Sequence, residues 1–426
     1  MAKKSELLVG LDIGTSKVAA VVAEVTDGSV TVHGAGSVPT EGLRKGVVVN
    51  IDATVHSIEN AIREAEVTAG CEIHTVITDV SGSHIRGFNS HGVVKLRNPE
   101  VDRADVDRVL NAARVLALPA DRDILHVLPQ GFVLDDQDGI PWPVGMSGSQ
   151  LEAHAHVITT ATAAVNNVVK CCQRAGLHVA DVVLAPLAVA EAVVTPAEKE
   201  LAVALVDVGA GTTDVLVFHQ GRLKHTAVLS LGGNHVTNDV AAGLQTPFRE
   251  AEFIKVRHGC ALARLVVGDQ MVEVPTVGGR AARVLARRTL AEIIEARMEE
   301  IFTLARNQLV KSGFDEGLHS GIVLSGGGVQ MEGIVALAES IFQVPVRLGV
   351  VLGSEENSGA TAAAMENTWM AAATGLVQYG AQPHDSMPAY AAQGGARGRW
   401  LQTVKGWFEG VVPTPQAVWN RLRRAS

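Results

Sequence analysis

Two stretches about 195 residues apart repeat one another, and no other feature constrains the fold of this chain as tightly. The apolar run Leu201 to Val206 reads as a buried strand and delivers the turn Asp207-Val-Gly-Ala-Gly-Thr-Thr-Asp214. Gly209 and Gly211 allow the backbone to turn with its N–H groups facing an anion. Earlier, the strand-like Leu7 to Leu11 leads into Asp12-Ile-Gly14-Thr15-Ser16-Lys17. Both copies then enter a second apolar segment, Val18 to Val25 and Val215 to Phe218. Two related hairpins of this kind predict a duplicated architecture with a phosphate-bearing ligand between the halves.

The residue types fit that ligand. Thr15, Ser16, Thr212 and Thr213 are hydroxyl donors, and Lys17 meets phosphate oxygens as a point charge. Asp12 and Asp207 are placed to orient a phosphate-bound Mg²⁺, most simply through water. A third strand, Ile322 to Leu324, runs into Ser325-Gly326-Gly327-Gly328. That junction has no acid or lysine, so its bare backbone suits close approach by a flat base or an α-phosphate.

Composition narrows the class. A chain of 426 residues holds two to four structural units. Aromatics are only 4% of residues, so the core must be built from Val, Leu, Ile and Ala, as α/β packing favours. The net charge of −9 argues against nonspecific nucleic-acid binding. Cys71, Cys171, Cys172 and Cys260 form no CxxC pair and read as reduced thiols. No apolar leader and no 18-residue apolar run is present.

Along the chain, three strands cover Leu7 to Ile13, Val18 to Thr26 and Val30 to Ser37, and a helix covers 52–69. The pattern changes near Ile85, where short strands, an acidic helix from Arg103 and a Gly/Pro-rich passage to Gly148 read as an inserted unit. Helical and strand patterns resume at Ala161, and the second hairpin begins at Leu201. Residues 247–303 read as a further small subdomain, and a long helix spans Leu290 to about Val310.

The three glycine junctions resemble the two phosphate loops and the adenosine loop of the actin-like ATPase superfamily. The chain resembles, more closely, the FtsA family of bacterial cell-division proteins. That likeness covers essentially the whole chain and is carried by Pro143-Val-Gly-Met-Ser-Gly148 with His154 and His156. It is carried also by Gly232-Gly233-Asn234, by Ala251 to Gly259, by Val277-Gly-Gly-Arg280 and by the tail. The implied fold is α/β, a duplicated ribonuclease H-like core in two lobes with an FtsA-type insertion.

The resemblance implies a first-lobe core at 1–84 and 161–200, interrupted by the insertion at 85–160. It implies a second-lobe core at 201–245 and 305–383, with a small subdomain at 246–304, a linker at 384–399 and a membrane-targeting tail at 400–426. Glu252 and Lys255 match the family's ribose-contacting pair, and their spacing of three puts both on one helical face. The cofactors implied are ATP and Mg²⁺. Members of the superfamily place a Glu or Gln near the proline that connects the lobes, whereas Leu184-Ala185-Pro186 has no polar side chain there. Slow hydrolysis follows, with nucleotide acting as a switch.

The resemblance further implies self-assembly into filaments, contacts with later division proteins, and capture of the C-terminal peptide of the tubulin-like FtsZ. Arg280, Arg283, Arg287 and Arg288 are suitable donors to such an acidic, hydrophobic peptide. The tail carries its own signal. Trp400, Leu401, Val404, Trp407, Phe408 and Val411 recur at helical spacing, and Trp419 and Leu422 form a second apolar set, all interleaved with Arg and Lys. This pattern predicts an amphipathic helix lying on anionic lipid at the inner membrane, peripheral and multiplied by polymerisation. Two rivals share the superfamily: a PilM-like pilus-associated homologue and a sugar kinase, the latter requiring a catalytic acid and no membrane helix.

Overall fold

Runs of Val, Ala and Leu buried on both faces force the hairpins into the middle of sheets, and helices then cover those sheets. A computed structural model describes residues 5–26, 29–275, 282–314, 317–352 and 368–382. The chain opens with β1 (Ser5–Ile13), β2 (Lys17–Thr26) and β3 (Ser29–Pro39), followed by the short pair β4 (Leu43–Arg44) and β5 (Val47–Val48). Helix α1 (Ile51–Ala69) starts where Asn50 accepts from the Ala53 N–H and stops at the left-handed Gly70. Its buried stripe of Val55, Ile58, Ala61, Ile62 and Ala65 lies in the same core as β1 to β3.

After β6 (Thr75–Val80) the chain leaves this sheet. It forms β7 (Arg86–Lys95), α2 (Arg103–Ala113), β8 (Arg122–Leu134), β9 (Gln137–Ile140) and β10 (Gln150–Ala161). These strands pair antiparallel in the order β7-β10-β8-β9 and have a separate core around Val109, Phe132 and Leu151. Asp102 and Asp105 close a capping box at the start of α2. The chain then returns through α3 (Thr162–Arg174) and β11 (His178–Leu184) to complete the first sheet, and α4 (Ala185–Val193) and α5 (Pro196–Leu201) follow.

The second sheet contains β12 (Val203–Val208), β13 (Thr213–His219) and β14 (Arg222–Leu229). Beyond it come α6 (Gly233–Leu244), α7 (Phe248–His258), β15 (Met271–Val274), β16 (Arg283–Ala286) and α8 (Arg287–Ser312). The chain ends, within the described residues, with β17 (Ile322–Ser325), α9 (Ile334–Phe342), β18 (Val346–Leu348) and α10 (Ala371–Ala381).

The first sheet runs β3-β2-β1-β6-β11 and the second β14-β13-β12-β17-β18. In each, a three-stranded antiparallel meander is extended, on the side of its first strand, by two parallel strands. The repetition expected from two hairpins therefore extends to whole sheets. One helix crosses between them: α10 follows the second sheet in sequence, yet Ala371, Ala373, Leu376 and Val377 join the core of the first.

His126, on β8, ties the inserted unit to the first sheet. Its buried Nε2 accepts the Leu184 N–H at 3.0 Å, and burial holds its pKa down to about 4 from an ordinary 6.5. The unfolded chain takes up this proton near 6.5, whereas the folded chain resists until about 4. The stabilisation is thus complete above 6.5 and is lost as pH falls through that window, by about 3 kcal/mol. Urea denaturation at pH 7 and pH 4.5 is expected to show a flatter pH dependence for His126→Gln than for the parent; parallel slopes would contradict it.

Candidate functional site

The two turns are copies at atomic detail. Gly14 N–H donates to Lys17 O at 2.9 Å, and Gly209 N–H donates to Thr212 O at 2.9 Å. In strand register, Asp12 lies opposite Ala19 and Asp207 opposite Asp214. The side chains, however, are divided unequally. Lys17 occupies the position that Thr212 holds in the other turn, and Ala19 the position of Asp214.

The turns also meet. A Cβ on Gly211 would lie 2.8 Å from Lys45 Cα and 2.9 Å from Thr15 Oγ1, so only glycine permits this approach. Between the turns sits the Lys45-Gly46 corner, with Lys45 in the left-handed region at φ 52°. Gly46 N–H donates to Thr15 Oγ1 at 2.9 Å. This wedge escaped the sequence reading, because Arg44-Lys45-Gly46 has the look of any hairpin corner.

Carboxylates crowd beneath the turns. Asp12 Oδ2 accepts from Lys17 Nζ at 2.9 Å, and that ammonium also stands 5.4 Å from the centre of the Trp369 ring. Burial, then repulsion from Asp12, pushes Asp207 up to about 6, with the nearby Ser325 hydroxyl and Lys17 pulling the other way. Burial and the Asp207 charge push Asp214 well above the usual range. Asp79 is raised by burial and by Asp12, although its Oδ1 accepts the Ile13 N–H at 3.2 Å. Its signal in the sequence was a lone acid inside the apolar strand Val76 to Val80.

The third junction joins the same place. Gly326 adopts φ 88°, and a Cβ there would lie 2.4 Å from Val208 O and 2.8 Å from Asp207 Oδ1. Gly328 abuts Val208, while Gly327 faces open space. The N-terminus of α6 docks on the second turn, with Gly233 N–H to Gly209 O and Asn234 N–H to Ala210 O, both 2.9 Å. Lys255, buried on α7, bonds Thr237 Oγ1 at 2.9 Å and Glu252 at 2.7 Å. Its Nζ and the Gly328 backbone both lie beside Gly233. Asp12 to Lys17, Asp207 to Thr213, Gly326 to Gly328 and the Glu252–Lys255 pair are therefore parts of one cleft.

The arginines are more scattered. Arg283 donates to the Leu244 carbonyl, and Arg287 is tied to Glu332 at 2.6 Å and to Gln270 at 2.9 Å. Arg288 is exposed beside Glu292. Arg280 lies outside the described residues, as do Trp400, Leu401, Val404, Trp407, Phe408, Val411, Trp419 and Leu422. Among the described residues no helix is long and apolar enough to cross a membrane.

Two sheets of one topology, facing each other across paired glycine turns and linked by a crossing helix, define the actin-like class. Solved structures share this fold. A chain of a PilM–PilN type IV pilus biogenesis complex superposes with a TM-score of 0.64 at 18% identity, covering 88% of this chain and 99% of that one. MreB5 of Spiroplasma citri bound to ADP gives 0.52 at 11% identity, covering 88% and 96%.

Sequence comparison is more specific. Residues 204–375 match the family model for cell division protein FtsA, and residues 82–159 match that for the SHS2 domain inserted in FtsA. The cell division protein FtsA of Pseudomonas aeruginosa is 46% identical over 415 residues, 96% of this chain and 99% of that protein. The FtsA of Escherichia coli K12 is 40% identical over 417 residues, 96% and 98% of the two chains. The chain belongs to the FtsA family of cell division proteins.

Proposed function

We propose that the cleft binds ATP with Mg²⁺, and that the protein polymerises on the inner membrane, anchors the FtsZ ring there and recruits later division proteins. One observation carries the nucleotide reading: the two phosphate turns touch at Gly211 and Thr15, with Lys17 and the acids beneath them. The acids suit a hydrated cation. Asp207 Oδ1, Asp214 Oδ1 and Asp79 Oδ2 are sealed from solvent and accept no hydrogen bond. These acids would hold the ion through its hydration water.

Bound Mg²⁺ supplies charge neutralisation at the phosphates. The turn amides and Lys17 orient the phosphate chain, Glu252 and Lys255 address the ribose, and Gly326 to Gly328 leave room for the adenosine. Leu184-Ala185-Pro186, which opens α4, offers no side chain to position water, so turnover is slow and the nucleotide acts as a switch. A titration with a fluorescent ATP analogue and Mg²⁺ tests the site. Saturable uptake, competed by ATP, is the expected result; linear uptake would overturn it.

In this reading residues up to 84 and 161–200 form one lobe, 201–245 and 305–383 the other, 246–304 the FtsZ-peptide subdomain and 400–426 the anchor. Arg288 is the exposed donor for the peptide, with Arg280 and Arg283 beside it in sequence. Lipid attachment rests on the aromatic and basic pattern of the tail. Co-sedimentation with anionic vesicles is expected to fall to background when the chain ends at Arg399, and unchanged pelleting would exclude the tail as the anchor.

A further inference from the structure

The inserted unit is held by both sheets: by the first through its root, through His126 on Leu184 and through the run of β10 into α3, and by the second through β14. Its root, Ser81 to Ile85, follows β6. A Cβ on Gly46 would lie 2.8 Å from Ser81 O, and Gly46 N–H itself bonds Thr15 of the first turn. The second hold is on β14, the outer strand of the second sheet. Arg222 donates to Pro129 O at 3.2 Å and Pro141 O at 2.9 Å, and Gln130 Nε2 donates to Leu223 O at 2.8 Å.

At the centre of this second contact lies His156 on β10. Its ring is buried, with Nδ1 2.6 Å from Asn89 Oδ1 and Nε2 3.1 Å from Thr226 Oγ1. Asn89 Oδ1 is an acceptor, so Nδ1 carries the hydrogen and the neutral ring accepts the Thr226 hydroxyl at Nε2. Gln130 Nε2 also donates to Asn89 Oδ1, at 3.2 Å. The chain continues from β14 into Leu231, whose carbonyl accepts the Thr213 hydroxyl at 2.9 Å, and into Gly233, which bonds Gly209 O. One strand thus has the second turn at one end and the inserted unit at the other.

We propose that the inserted unit is a lever rooted in the first sheet and latched to the second, with the His156–Asn89–Thr226 triad as the latch that couples its swing to the occupant of the cleft. The coupling rests on the nucleotide reading above. A change in the separation of the turns displaces the root and the latch by different amounts, and the four-stranded sheet rotates as a body. Directional bonds at Arg222, Gln130 and His156 set the register of this contact, beside the buried Leu223 of β14.

The test measures distance by paired spin labels in the full chain, at Asp107→Cys on α2 and Arg249→Cys on α7, both exposed, with Cys71→Ser. The distribution is expected to be narrow and to shift with Mg-ATP. His156→Phe keeps the ring but loses both polar ends, and Thr226→Val removes only the hydroxyl. Each is expected to broaden the distribution about twofold and to abolish the nucleotide shift, while affinity for the fluorescent ATP analogue stays within about threefold. His154→Ala, two residues along β10 and half exposed, leaves the distribution narrow. A narrow, nucleotide-responsive distribution in both latch variants would overturn the proposal. If the parent protein takes up no nucleotide, the cleft reading and the coupling fail together, and the latch is still judged on the nucleotide-free distributions.

Discussion

Gly211→Val is expected to weaken Mg-ATP binding by about a hundredfold or more, as read from titration of the purified protein. The new Cβ would lie 2.8 Å from Lys45 Cα and 3.1 Å from Lys45 N, and both are backbone atoms. No flexible side-chain end can swing aside, so the Lys45-Gly46 wedge and the two turns must part. Overpacking of this kind costs roughly 1–3 kcal/mol of stability. The larger effect falls on the ligand, because the amides of both turns are held in register by this one contact. An affinity within threefold of the parent would show that the turns do not act on a shared ligand.

Asp207→Asn is expected to act in opposite directions on the free and the liganded protein. Burial and Asp12 raise the Asp207 pKa to about 6 from 3.8, so its protonated form suits the folded chain. The corresponding stability is present below 3.8 and is lost as pH rises through about 6. At pH 7 the ionised group therefore costs about 3 kcal/mol, which the amide avoids. The free variant is expected to melt at higher temperature than the parent, while the extra stabilisation by Mg-ATP largely disappears. Thermal melts with and without Mg-ATP check both halves. A variant that is less stable when free, yet keeps its full nucleotide shift, would contradict the placement of a cation beside this acid.

Much of this architecture was legible because it is local. A strand, an acid, a glycine turn and a second strand are specified within about a dozen residues, and the copy at Asp207 repeats the copy at Asp12. Helix α1 was legible from its apolar stripe, and its C-terminus from Gly70. Helix α5 is equally local, in a weakly polar stretch with no apolar stripe to announce it. Thr195, Pro196 and Glu198 form a capping box with proline at the first turn, and that signal outweighs polarity.

What the sequence did not reveal depends on contacts between distant segments. No periodicity shows that α10 crosses to the first sheet, because its alanines fit either core. Nothing in Lys45-Gly46 betrays a wedge until Thr15 and Gly211 are brought against it. The arginine cluster shows the limit from the other side. Arg283 and Arg287 read in sequence as donors to a peptide, but in the structure they bond Leu244 O and Glu332 and leave Arg288 exposed beside Glu292.

The two sheets repeat one topology and, in the nucleotide reading proposed above, offer a chain of phosphates two similar turns. The chemistry of the cleft is handed: the ammonium belongs only to the first half, and the acid that faces Asp207 across the strand pair only to the second. In that reading, a ligand with a charged end and a neutral end therefore meets different chemistry at each turn. That polarity rests on Lys17 and Asp214, whose counterparts in the other half are Thr212 and Ala19.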